Sequence, residues 1–399
     1  MRTAFFTAAG AMAVALATPC PAFEAPRDEI AVTYLGAAVE GPGYKVDAIV
    51  PGDGFLRTFT IDTAHGRIQV HGVELARQRV RELQALHRLA QMSDSDVFAK
   101  SLGNAALAPV RFGADLIKDP GKTLNRTFSG IGNMFDRIEA GVQQRGSSRD
   151  SAAGSLLGTD SARRQFAVEL GVDPYTDYAP LAQRLDAIAK AAALGGLSVK
   201  AVFVAVPGTG GAVVSSTSTI SSVQGTLREK TSAQIVQQVS ATLQRLKVPA
   251  AGAQKLIANR LYTPADLLVM SNALARLKAG NTPLFVARAA EADTRDVAFF
   301  QRRRAELLAA RSAELGGIVD FVSVGGFPLN RTRDGTVVAL FPLDDVTWTE
   351  TAARAFTTVI GALRLTGYQG SPVLATTGAV TPMAEEQLKR LGWTVVALE

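Results

Sequence analysis

Three dipeptides constrain the middle of this chain more than any other feature. Thr263-Pro264, Thr282-Pro283 and Asp293-Thr294 each put a capping side chain at a helix start, and two follow it with proline, whose missing N–H costs nothing at the first helical position. The spacing predicts helices over 228–247, 250–261, 264–279, 283–292 and 295–314, joined by short turns. No fixed period of roughly 30 to 45 residues recurs, so the stretch reads as a packed helical array and not as a solenoid.

The periodicity changes on either side of this array. Over residues 30–72 it suits short strands: Phe55, Phe59 and Ile61 alternate with Arg57 and Thr60, and Ala64-His65-Gly66 turns the chain into Arg67–His71 as a β-hairpin. From Val73 a helical period takes over. Val73, Ala76, Val80, Leu83, Leu86 or His87, and Ala90 share one face, while Arg77, Arg79, Arg81, Glu82 and Arg88 lie mostly elsewhere. Residues 99–144 mix Phe112, Leu116, Phe128 and Phe135 with Arg111, Lys118 and Lys122, and glycines break them into amphipathic pieces. The Gly/Ser-rich residues 141–161 read as a linker, and helix resumes over 175–194. Ala201–Leu227 then carries no charged residue, and 187–227 reads as an apolar hairpin.

The last segment reads differently again. Ile318–Val324 and Thr336–Phe341 are expected strands flanking a loop at Asn330–Gly335, followed by a helix over 349–365. A strand at 372–376, a helix opened by Thr381-Pro382 and a strand at 393–398 imply a parallel pair with a right-handed crossover. The expected fold class is α+β and predominantly helical. It divides into a signal peptide (1–22), a small β-hairpin sheet with amphipathic helices (23–140), the linker (141–161), a helical domain (162–316) and a small C-terminal α/β domain (317–399).

The first residues add an expected address. Arg2, an apolar run over Ala4–Ala17 and small residues before Ala22 form the pattern of a cleaved secretory signal, implying export to the periplasm or beyond. Cleavage after Ala22 removes Cys20, the single cysteine, and cleavage after Ala17, which fits the same pattern, leaves it as one free thiol; neither allows an intrachain disulfide, so the fold must rest on burial. With 47% hydrophobic residues the chain has the material for that. The formal charge of +6 is small and interspersed with acids, and aromatics are only 7%, which argues against nucleic acid as a partner. A protein or a membrane surface, with anionic lipid contact through the basic amphipathic pieces, is the partner class left open.

Chemistry-bearing patterns are sparse. His65, His71 and His87 have no spaced ligand partners, so no metal site is expected, and no cofactor is expected either. Pro207-Gly208-Thr209-Gly210-Gly211 lacks the lysine of a phosphate loop and reads as a turn. The candidates for catalysis are Asp344 and Glu350, with Asp345 beside them, and Thr376 at the carboxyl end of a parallel strand. Asp344 and Asp345 are adjacent and would point to opposite faces of a strand, and Glu350 suits the first turn of a helix. The reading that follows is an exported, non-enzymatic binding or structural protein of the cell envelope. The alternatives are an envelope hydrolase using these carboxylates and a peripheral membrane protein acting through residues 99–227.

Overall fold

The computed structural model describes residues 23–93, 158–194, 198–205 and 222–398. The expected signal peptide, the amphipathic pieces over 99–144, nearly all of the 141–161 linker and the glycine turn at 207–211 lie outside the described residues. The protein is mixed α+β and rich in helix. Among the described residues, no helix is long and apolar enough to cross a membrane.

The chain begins with β1 (Glu29–Ile30), α1 (Ala31–Leu35), β2 (Glu40–Gly41), β3 (Tyr44–Val46), β4 (Ile49–Val50), β5 (Thr58–Thr63) and β6 (Gly66–His71). Strands β2, β3, β5 and β6 form one antiparallel sheet in that order, while β1 pairs with β4. The β5–β6 hairpin has the expected register, with Phe59 opposite Val70 and both side chains buried. Helix α2 (Val73–Ser93) lays Val73, Ala76, Val80 and Leu83 on this sheet. It shares its core with α3 (Thr159–Glu169), α4 (Ala179–Leu194) and α5 (Val199–Ala205). Arg79 and Glu82, expected away from the apolar face, are nevertheless buried. The turn at 173–178 packs over the second side of α2, and Arg79 donates there to Asp177 at 3.0 Å.

The helical array follows as α6 (Gln224–Glu229), α7 (Ser232–Arg245), α8 (Ala250–Ala258), α9 (Pro264–Leu277), α10 (Thr282–Ala289) and α11 (Arg295–Arg311). Thr263 and Thr294 cap α9 and α11 as the sequence predicts. Helix α10 differs: Asn281 is its N-cap, in the left-handed region, and Thr282 is its first helical residue. Helix α11 meets all three hydrophobic cores. Ala305 and Leu308 belong to the helical core, Phe299 to the core around α2, and Phe300 to the core of the terminal sheet.

The terminal segment contains β7 (Ile318–Val324), β8 (Phe327–Thr332), β9 (Val337–Phe341), β10 (Asp345–Val346), α12 (Glu350–Leu365), β11 (Val373–Thr376), β12 (Ala379–Val380), α13 (Pro382–Arg390) and β13 (Thr394–Ala397). Five strands form one sheet in the order β13-β11-β9-β8-β7, antiparallel over β7–β9 and parallel over β9, β11 and β13. The expected parallel pair around α13 is therefore present. The expected pairing of Ile318–Val324 with Thr336–Phe341 is not, because β8 lies between them. Gly325 and Gly326, at φ +56° and +79°, make the tight turn that starts β8. Pro328 and the polar run Asn330–Thr332 mask that strand in the hydrophobicity pattern.

Residues at the start of the described chain close against this end. The Glu24 N–H donates to the Trp348 carbonyl at 2.9 Å, and its carboxylate accepts from the Trp348 N–H at 2.9 Å and from the Thr381 hydroxyl, which caps α13.

Candidate functional site

Asp344, Glu350 and Thr376 each have their own hydrogen-bond partners among the described residues. Asp344 follows β9 and is half-buried at the junction with the hairpin. Its Oδ2 accepts the Arg57 N–H at 2.8 Å, and both its oxygens lie 3.1 Å from the N–H of Val73. Val73 opens α2, so Asp344 caps that helix from the far end of the chain, satisfying an N–H the helix itself cannot. Burial pushes its carboxyl up to about 7, outweighing the two N–H donors that favour the charge.

Glu350 sits in the first turn of α12, exposed and paired with Arg354 at 3.0 Å, while Thr349 caps the helix. It is a solvated helix-start acid. Thr376 ends β11 fully buried, and its hydroxyl accepts the Gly378 N–H at 3.3 Å. Asp345 is buried and ion-paired with the buried Arg57 guanidinium. Burial pushes its carboxyl up to about 6 against the opposing pull of Arg57. Two neighbouring carboxylates thus grip one residue, Asp344 on its backbone and Asp345 on its side chain. Gly378 permits this approach: a Cβ there would lie 2.2 Å from the Asp344 carbonyl.

Two other residues belong to this junction: His71, which has no spaced ligand partners in the sequence, and Asp296, which is not among the sequence candidates. His71 ends β6 with Nδ1 3.0 Å from the Thr58 hydroxyl oxygen, and burial lowers its pKa to about 4 despite nearby Asp53. Its backbone N–H faces Asp296 Oδ1 at 3.4 Å, and burial pushes the Asp296 carboxyl up to about 6. The turn His71-Gly72-Val73, with Gly72 at φ +95°, is therefore held by one carboxylate from α11 and another from the terminal sheet. His71, Asp296 and Asp344 line a cleft of about 60 Å³ walled by Phe299 and Phe300. That volume admits a few waters and falls well below the roughly 300 Å³ at which small-molecule sites begin. These residues come from three distant segments, and the one local signal was the placement of Asp296 in the first turn after the Thr294 cap.

A second buried cluster joins α2, the 173–178 turn, α9 and α11. Arg79 pairs with Glu82 at 2.6 Å and Asp177 at 3.0 Å, Arg295 with Asp266 at 2.6 Å, and Arg302 with Asp266 at 3.1 Å. Burial alone would raise the Asp266 carboxyl, but Arg295 and Arg302 outweigh it and hold the group below the usual range. Asp173 makes no ion pair among the described residues: burial and nearby Asp266 push it up to about 7 against the weaker pull of Arg295, and the Thr263 hydroxyl donates to it at 2.5 Å. Breaking such a network by removing one charge strands its partner in a dry interior.

Among the described residues, no group of His, Cys, Asp or Glu is arranged to hold a metal ion. Compared with family models, curated proteins and solved structures, the chain matches none.

Proposed function

We propose that the chain is an exported, non-enzymatic binding or structural protein of the cell envelope. The supporting observation is the commitment of Asp344: both its oxygens hold backbone N–H groups of the hairpin and of α2. With Asp345 committed to Arg57, the best-placed carboxylates join parts of the fold to one another. Export rests on the sequence of residues 1–22. The test is a screen of the purified chain against ester, glycosidic and phosphoester substrates. No turnover is expected. Turnover abolished by Asp344→Asn or Asp296→Asn overturns the reading in favour of an envelope hydrolase.

A second reading, a peripheral membrane protein acting through residues 99–227, is favoured by the charge-free run Ala201–Leu227. Co-sedimentation with vesicles containing anionic lipid tests it. Recovery of all the protein in the supernatant at low salt rejects it.

A further inference from the structure

The five-stranded sheet ends differently at its two edges. Along β7 the outer side is capped by the loop between α9 and α10, where the Gly280 N–H donates to the Val319 carbonyl at 2.8 Å and the Gly280 carbonyl accepts from the Phe321 N–H at 3.1 Å. Along β13, among the described residues, no strand or loop pairs with the outer side. The N–H groups of Thr394 and Leu398 point inward, to the carbonyls of Pro372 and Thr376 at 2.9 and 2.8 Å. Alternation along the strand therefore turns the N–H and carbonyl groups of Val395 and Ala397 outward. Residues Thr394 to Leu398 carry no charge and no proline, and their register with β11 has no bulge, so nothing in the sequence of this strand blunts its edge.

Helix α13 borders the same edge. Strands β9, β11 and β13 are parallel neighbours joined through α12 and α13, and right-handed crossovers taken in one direction put both helices on one sheet face. Leu374 and Val395 share a core there with Phe356 of α12 and Leu388 of α13, while Val396 packs on the helical core at the other face. With that handedness, the residue after each buried position of α13 turns toward the open edge. Ala384 and Leu388 are the buried positions, so Glu385 and Lys389 flank β13 on its open side, both reaching solvent and paired with each other at 2.6 Å. Met383, one position before Ala384, turns instead toward α12 and packs on the shared core.

We propose that β13 is a dimer edge, at which two copies of the chain pair this strand antiparallel across a twofold axis normal to the sheet at Val396. Val395 then exchanges both hydrogen bonds with Ala397 of the partner subunit, and Ala397 does so with the partner's Val395. The same axis runs the two copies of α13 antiparallel. Strands lie about 4.8 Å apart and a crossover helix sits over the gap between the strands it joins, so the two helix axes come to about 10 Å, an ordinary packing distance. At that separation Glu385 meets Lys389 of the partner subunit, and Lys389 meets the partner's Glu385. An acid early in the helix and a base one turn later are self-complementary under this symmetry, which favours a second copy over an unrelated strand. The contact is small against the roughly 1,600 Å² of a standard interface, so dissociation in the micromolar range is expected.

Sedimentation velocity of the full chain at about 1 to 100 µM tests this, and the parent is expected to pass from monomer to dimer over that range. Ala397→Pro removes an outward N–H and leaves the bonds to β11 in place, so a monomer with the parent's melting temperature is expected. Glu385→Lys and Lys389→Glu each turn two attractive pairs into repulsive ones and should weaken self-association at least about tenfold. An equimolar mixture of these two variants should restore the dimer, because one copy is then basic and the other acidic along the flank. A parent that stays monomeric at about 100 µM, a dimer that Ala397→Pro leaves intact, or a mixture no more dimeric than either variant alone overturns the proposal.

Discussion

Replacing Asp344 by asparagine should flatten the pH dependence of stability near neutrality. The Asp344 pKa rises from an ordinary 3.8 to about 7 in the folded chain, so the native state takes up its proton first. Stability from this group is gained as pH falls through about 7, and lost as pH rises through it. Between pH 8 and pH 6 the contribution is about 1.4 kcal/mol in favour of the acidic side, and the whole shift is worth at most about 4 kcal/mol. Asp173, Asp296 and Asp345 are raised as well and act in the same direction. His71, lowered from 6.5 to about 4, opposes them as pH falls through that interval. The diagnostic quantity is therefore the difference between parent and variant. Urea denaturation of both proteins at pH 8, 7 and 6 measures it. The parent should gain about 1.4 kcal/mol more than Asp344→Asn on going from pH 8 to pH 6. Equal gains would show that Asp344 stays ionised across this interval, and the account of its burial would fail.

Three further outcomes follow from the same contacts. Arg57→Met strands Asp345 and should lower stability by about 3–5 kcal/mol, read from the urea midpoint; a loss under about 1 kcal/mol contradicts a buried pair. Gly378→Ala forces a Cβ onto the Asp344 carbonyl and should cost about 3 kcal/mol, so an unchanged melting temperature would refute that close approach. Glu24→Ala removes the acceptor for the Trp348 N–H and the Thr381 hydroxyl, and should cost about 1–2 kcal/mol with faster hydrogen exchange at Trp348; unaltered exchange there contradicts the docking.

Local signals made much of the fold legible. The alternation of Phe59 and Ile61, the Thr263 and Thr294 caps and the strand–helix–strand order at the end all correspond to elements near their expected positions. Strand β8 was illegible because Pro328 and Asn330 sit in a strand whose missing N–H is replaced by Arg304, a partner 24 residues earlier in the chain. Burial of Arg79 and Glu82 was illegible for a related reason. A helix covered on two sides loses its solvated face, and the covering turn lies far off in sequence. At the site, the chain order of Asp344 and Asp345 suggested divergence. Their convergence on Arg57 depends on Gly378 and on a hairpin almost three hundred residues away. Asp344 was recognisable as a carboxylate of interest, but its work as a helix cap could not be read without that contact.

The junction carboxylates join separate parts of this chain. Hydrogen exchange at the Arg57 and Val73 amides in the parent and in Asp344→Ala tests it most directly. The account expects protection at both amides in the parent and at least about tenfold faster exchange in the variant, which corresponds to about 1.4 kcal/mol of local opening free energy. Equal protection of both amides in the two proteins would contradict it.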